Sequence, residues 1–413
     1  MQGELRMARP NVTVLIDDQS FVVPGSEAGS LTRAGMPSVY GLVLALGNTA
    51  ERKAGVMQLE DPQDWVKRLT SKEPTASGAW TDNINHANGT VGGTGSRWPE
   101  GPTGAWKNEW WAVHNYLQYG GVCVIGATGT ESNTQDDAYT TLKDKTIPLD
   151  VVFAATGGAG YVASVSNIAS SRGDCVAVIP DSSVGLTVAG ASSQGTADEF
   201  NITVFGAKRH LDITRGINDA DNTANYIRTN CAPDVAGCLA RTDRDGYPWY
   251  SPAGFKRGRI LDVVRIEKNP TDAEQDTLYD AGINPIVTFP GEGTVLFGDK
   301  TGKPASSTLS RINVSRLFIY LKKTIGAAAR GILFELNDVT TRAAFVNAVS
   351  PVLDSIQARR GLYDYRVVCD RSNNTDGIID SNQFVADIYI KPAKSINFIK
   401  ITFTNKNTAD DLG

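Results

Sequence analysis

Residues 363–404 read YDYRVVCDRSNNTDGIIDSNQFVADIYIKPAKSINFIKITFT, and the rest of the chain can be read outward from them. In 383–391, Phe384, Ala386, Ile388 and Ile390 alternate with Val385, Asp387, Tyr389 and Lys391. In the last run Ile399, Ile401 and Phe403 alternate with Phe398, Lys400, Thr402 and Thr404. A period of two predicts half-buried antiparallel strands. Pro392 cannot donate to a ladder, so a turn or edge break is expected between the two runs. A third strand is expected over 365–369, followed by a polar turn at 372–377. The stretch holds almost no candidate nucleophile, base or metal ligand.

Composition narrows the field. A chain of 413 residues exceeds one ordinary core, so two or three domains are expected. Hydrophobic content of 41% and charge of 21% are those of a soluble globular protein, and 41 glycines predict many tight turns. No run of 18 apolar residues suggests a membrane span, and the first residues have no apolar signal-like stretch. The net charge of −5 is concentrated in 131–200, where nine acids face three bases. Without a basic stripe, nucleic acid is not an expected partner. Five cysteines form no CxxC pair, which predicts free thiols in a reducing, cytosolic setting. Three scattered histidines make a metal site unexpected.

Taken in order, 11–16 is one short strand in which Val12, Val14 and Ile16 share a face; it has no local hairpin partner. A buried strand is expected over 39–46 and a short helix over 64–69. Residues 71–105 form a Gly-rich loop with Trp80 and Trp98, of unassigned role. Trp110, Val113 and Leu117 give 106–121 a helical period ending at Gly120, and 122–127 reads as a strand. Two apolar runs, 151–155 and 175–179, with a helix at 160–171 between them, predict buried strands of an α/β sheet. A strand and turn follow at 202–211, and acids at the start of 272–279 predict a helix N-terminus.

Two stretches imitate phosphate loops. Residues 156–160 (TGGAG) follow a strand but lack the GxGxxG spacing. Residues 291–301 (GEGTVLFGDKT) approach Gly-x4-Gly-Lys-Thr, yet Asp299 breaks the motif and Gly302 and Pro304 leave no room for the helix it requires. Neither is expected to bind nucleotide. Two helices come next. Leu309, Ile312, Leu317, Leu321 and Ile325 stripe the first; Phe345, Val349, Leu353 and Ile356 stripe the second, which is capped by Asn337 or Asp338, contains Pro351 and stops at Gly361.

Several of these segments, in this order, resemble the contractile tail sheath proteins of myophages, R-type bacteriocins and contractile injection systems. The resemblance rests on the C-terminal stretch and on 231–254, where Pro233, Ala236-Gly237, Ala240-Arg241-Thr242-Asp243, Gly246, Trp249 and Pro252-Ala253-Gly254 match the family pattern. Pro248 and Cys238 depart from it. Weaker echoes lie at 106–127, 151–181 and 205–211.

The resemblance implies a mixed α/β and α+β multi-domain fold. It divides into an N-terminal arm (1–25), central or outer α/β domains (26–245), an inner C-terminal α+β domain (246–395) and a C-terminal arm strand and tail (396–413). It further implies a non-enzymatic structural subunit without cofactors, stacked as hexameric rings around a tail tube in a virion, assembled in the host cytoplasm. Tube, baseplate and terminator proteins would be its partners, without membrane insertion. Arm strands carrying Val12, Val14, Ile16, Phe398, Ile399, Ile401 and Phe403 would pair with neighbouring subunits. Lys322, Lys323, Arg342, Arg359 and Arg360 become candidate tube-facing charges. A baseplate or tail-tip protein sharing the C-terminal domain, or a phosphate-binding α/β enzyme, are the alternatives.

Overall fold

A computed structural model describes residues 39–44, 55–59, 73–74, 80–81, 106–127, 142–143, 145, 149–155, 157–211 and 226–396. The strands expected at 11–16 and in 398–404, and the helix at 64–69, lie outside the described residues.

The largest element is an eight-stranded sheet. Its strands are β1 (Val39–Leu44), β2 (Gly55–Leu59), β5 (Val122–Ala127), β6 (Val151–Phe153), β7 (Val176–Pro180), β8 (Asn201–Phe205), β12 (Ile283–Phe289) and β13 (Gly293–Leu296), ordered β13-β12-β8-β7-β6-β1-β5-β2. Neighbours from β12 through β5 run parallel, whereas β13 and β2 close the two ends antiparallel. The sheet draws strands from both sides of residue 246. Two short strands, β3 (Glu73–Pro74) and β4 (Trp80–Thr81), pair within the Gly-rich stretch.

Parallel strands need cover on both faces, and alternation along β6 and β7 supplies two apolar surfaces. Val152, Ala154, Ala177 and Ile179 face α2 (Ala159–Arg172), packing on Tyr161, Val162, Val165 and Ile168. Val151, Phe153, Val176 and Val178 face the other way, onto α1 (Trp106–Leu117) and α3 (Ala232–Asp245), meeting Trp111, Tyr116, Val235 and Leu239. Each fully buried Val, Leu or Ile contributes about 1.5–3 kcal/mol, so these two layers dominate the energetics of this region. Gly120, at φ 76°, turns the chain from α1 toward β5, as the sequence predicts.

A three-stranded sheet of β10 (Tyr226–Asn230), β9 (Ala207–Leu211) and β11 (Arg265–Ile266) lies beside this body. The helix α4 (Asp272–Asp280) begins with a reciprocal cap: the Thr271 N–H donates to Glu274 at 2.8 Å while the N3 backbone binds Thr271.

The C-terminal portion is built from α5 (Ile312–Arg330), α6 (Val339–Ala358), β14 (Leu362–Val368), α7 (Asp376–Asp380) and β15 (Asp387–Pro392). Leu317, Leu321 and Ile325 pack on Phe345, Val349, Leu353 and Ile356. Asp338 caps α6 by accepting the Thr341 N–H at 2.7 Å, and the helix runs on through Pro351. The alternation expected from 383 becomes a strand only at Asp387. Before it, Asn374 replaces the ladder: its side chain donates to Val385 O at 2.7 Å and accepts the Val385 N–H at 2.9 Å. β15 ends at Pro392, where the missing N–H predicts a break.

All five cysteines are buried and none is in a disulfide. Burial pushes every one of these thiols up, Cys175 and Cys238 to about 12 and Cys369 to about 11.

Candidate assembly surface

The β14–β15 pair is an amphipathic two-stranded sheet. Tyr365, Val367, Ile388 and Ile390 turn inward onto the α5–α6 core. Outward, Asp364 pairs with Lys391 at 3.2 Å in an exposed ion pair, and Arg366 stands opposite Tyr389. Among the described residues no third strand pairs with either β14 or β15. Two strands alone are marginal in water, and here the helical core beneath holds them. Their outer backbone edges are templates for further strands.

Past Pro392 the chain is pinned three times before it reaches Ile396. The Ala393 N–H donates to Gly361 O at 3.0 Å, and Asn313 donates through Nδ2 to Ala393 O at 3.1 Å. The Ser395 hydroxyl donates to the Asp299 carboxylate, whose other oxygen accepts from Arg311 at 3.0 Å. Ile396 then projects into solvent. Sequence reading missed this clamp, although Asp299 was visible as the residue that spoils a phosphate-loop motif.

The rest of that motif is also used internally. Lys300 donates through Nζ to Tyr279 O at 2.6 Å, and the Thr301 hydroxyl donates to Leu309 O at 2.8 Å. Only a single 3-10 turn at Thr308–Ser310 precedes Ile312, where the next α-helix starts. In the other glycine stretch a Cβ at Gly157 would lie 2.3 Å from Val184 Cγ2, so Val184 packs against that glycine.

The five candidate tube-facing bases separate in the structure. Lys322 and Lys323 lie buried on the inner side of α5. Burial pulls the Lys322 amine down, and it sits 5.4 Å from the centre of the Phe200 ring. Lys323 donates to Leu149 O at 2.8 Å and to the Asp150 carboxylate. Arg342 is buried too, donating to Asn337 O at 3.2 Å and Oδ1 at 2.7 Å. A side chain already committed inside its own subunit is not presented to another chain. Arg359 and Arg360 do stand at the surface, where the chain turns from α6 into β14. Arg359 lies 4.9 Å from the Tyr247 ring centre, and its carbonyl accepts from Trp249 Nε1 at 3.1 Å. The arm residues Val12, Val14, Ile16, Phe398, Ile399, Ile401 and Phe403 lie outside the described residues.

Buried polar groups elsewhere serve packing. Asp234 accepts from Lys208 Nζ at 2.8 Å and from the Tyr119 hydroxyl at 3.1 Å, an ion pair sealed between α3 and β9. His114 and His210 flank the Trp111 ring edge-on, with ring centres 5.0 and 4.6 Å away. Burial pulls both imidazoles down to about 4. Among the described residues no group of three His, Cys, Asp or Glu side chains is placed to hold a metal ion.

Residues 108–302 match the phage tail sheath protein central domain, and residues 305–406 match the phage tail sheath C-terminal domain. The tail sheath protein of Vibrio phage KVP40 is 41% identical over 278 residues, which is 64% of this chain and 41% of that protein. The tail sheath protein of Enterobacteria phage T4 is 46% identical over 181 residues, covering 44% of this chain and 28% of that one. The chain therefore matches less than half the length of these relatives. In fold it is similar to the helical sheath of the anti-feeding prophage in its contracted state, with a TM-score of 0.67 at 16% identity, over 97% of this chain and 100% of that one. With both sheath domains matched in order across most of its length, the chain belongs to the phage tail sheath family.

Proposed function

We propose that this protein is the repeating subunit of a contractile tail sheath, polymerising as hexameric rings stacked helically around a tail tube. The observation that carries the reading is the β14–β15 hairpin: a sheet of two strands, backed by a hydrophobic core, with both outer edges unpaired among the described residues. An incomplete sheet on a rigid base is what strand exchange between subunits requires. Residues 11–16 of one subunit and 396–404 of another would complete it. Backbone ladders hold register without demanding particular side chains, so subunits can rotate while remaining joined. Each net hydrogen bond contributes only about 1 kcal/mol, but the bonds add along a polymer.

In this reading the arm (1–25) and the C-terminal portion from α5 onward form the inner mesh, while the part built on the large sheet, which takes in β12 and β13 beyond residue 246, lies outside. The energy for contraction is held in assembly itself: the extended sheath is metastable, and contraction gains subunit contacts while driving the tube through the host envelope. No catalysis is needed, in keeping with Lys300 and Thr301 being engaged within the fold. Arg359 and Arg360 are the bases available to a tube. Baseplate and terminator proteins would meet the two ends of the polymer, which would form in the host cytoplasm and function in the virion.

Negative-stain electron microscopy of the intact protein, beside a variant lacking residues 1–20, tests the reading. Long hollow tubes from the intact chain, lost on truncation, are expected. Small monodisperse particles from both, across salt and concentration, would overturn it.

A further inference from the structure

The connection between α5 and α6 exposes more apolar surface than a free loop should. Phe334 is 86% exposed, Leu336 77% and Val339 70%, all within six residues. Single exposed apolar side chains are ordinary, whereas three together mark a contact surface. Phe334 also holds φ at 72°, in the left-handed region that bulky residues avoid. The loop around it is fixed. Asn337 donates through Nδ2 to Gln383 O at 2.7 Å, Arg342 donates to Asn337, and Asp338 caps the next helix. This is a strained aromatic knob on a rigid mount.

A matching surface lies on a different part of the same molecule. Phe255, Phe289 and Phe297 stack edge to face, with ring centres 5.2 and 5.1 Å apart, and Phe255 and Phe297 remain 48% and 45% exposed. The β12–β13 turn bearing Phe289 is shaped by Gly291 and Gly293, both at positive φ. Lys256, which follows Phe255 in the chain, and Arg259, bridged to Val295 on β13, are exposed, as is Glu292 in the β12–β13 turn. The knob carries the opposite balance, with Glu335 and Asp338 against Arg330 at the helix end.

We propose that the α5–α6 knob of one copy docks on the Phe255–Phe289–Phe297 platform of the next, Phe334 against the aromatic rings and Glu335 toward Lys256 and Arg259. Both halves of the contact occur once on every chain and on different elements. The contact is therefore head-to-tail: each docking leaves one knob and one platform free, so it propagates into a ring or a helix instead of closing as a dimer. A preformed knob spares the ordering cost of a loop that would fold on binding. The proposal rests on the self-assembly reading above and names a contact within it that is separate from the arm strands.

The test compares the intact chain with Phe334→Ser, Glu335→Lys, Lys256→Glu and the Glu335→Lys/Lys256→Glu pair, by light scattering and electron microscopy against protein concentration. We expect Phe334→Ser and each single charge reversal to raise the concentration needed for polymer at least tenfold. The charge-swapped pair should recover most of that loss, and melting of the unassembled protomer should not fall. Polymer from the variants at the wild-type concentration would overturn the contact and leave the sheath reading intact. Loss in Glu335→Lys without recovery in the pair would overturn this pairing of surfaces. Absence of polymer from the wild type would overturn both.

Discussion

His114 and His210 show what one buried residue does to the whole stability curve. Burial lowers both imidazoles to about 4; Asp262 draws them back up, and Lys208 pushes them further down. The unfolded chain titrates its histidines near 6.5. As pH falls from about 6.5 to about 4, the unfolded state gains protons that the folded state refuses, so stability is lost across that window and levels off below it. Each ring contributes on the order of 3 kcal/mol across that window. Asp181 and Asp234, whose carboxyls burial pushes up, act in the opposite sense. Urea midpoints at about pH 7 and about pH 4.5 should therefore differ less in His210→Phe than in the wild type. An equal pH slope in the two proteins would remove the histidine from the account. Residue-scale reading of the sequence had its limit here. His114 was visible as a residue on an aromatic helix, but its companions on β9 lie about a hundred positions away. Lys322 and Lys323 failed for the same reason, because Phe200, Leu149 and Asp150 cannot be inferred from helical spacing.

Among elements, legibility followed exposure. Elements with one wet face announced themselves: alternation located β14 and β15 to within a few residues, and period and glycine located α1. The sheet strands β6 and β7, buried on both faces, were still readable as short apolar runs bounded by glycine and proline. The helix α3 was not assigned as a helix from the sequence; from Ala232 to Ala240 every residue is buried between the sheet and α1, so it offers no wet face there. Its sequence matched a family pattern instead. The tight crossing of α3 with the end of α1 depends on Gly237, where a Cβ would lie 2.3 Å from Tyr119 Cδ2. Alanine is the better helix former by about 1 kcal/mol, whereas overpacking a fixed core costs about 1–3 kcal/mol. Tyr119 cannot yield easily, since its hydroxyl donates to Asp234 and accepts the Leu261 N–H at 2.9 Å. Gly237→Ala should therefore lower the chemical-denaturation midpoint, and a raised midpoint would show that propensity outweighs packing there.

For the whole molecule, the decisive element is α5. Its Ile312 and Ile319 belong to the core beneath the large sheet, while Leu317, Leu321 and Ile325 belong to the C-terminal core. Arg316 makes a two-pronged pair with Asp243 at the end of α3, at 2.8 and 2.6 Å, and the Ser315 hydroxyl donates to Glu199 O at 2.6 Å. Neither core can lose this helix without damage to the other. In hydrogen exchange at increasing denaturant, peptides from α6 and from β7 should lose protection at a common midpoint, and separate midpoints would mean two independent units. The sequence supported several domains and a mixed fold. It could not show that one helix serves two cores, because the stripe on α5 reads as a single apolar face.

The five sunken thiols have a practical side. With each sulfur buried and held protonated at ordinary pH, the native chain offers almost no thiolate to an alkylating reagent. A single cysteine introduced at an exposed position outside the proposed contacts, such as Val264, would then be the preferred point of dye attachment, with all five native cysteines left in place. The movement of one subunit within a polymer could be followed by its colour.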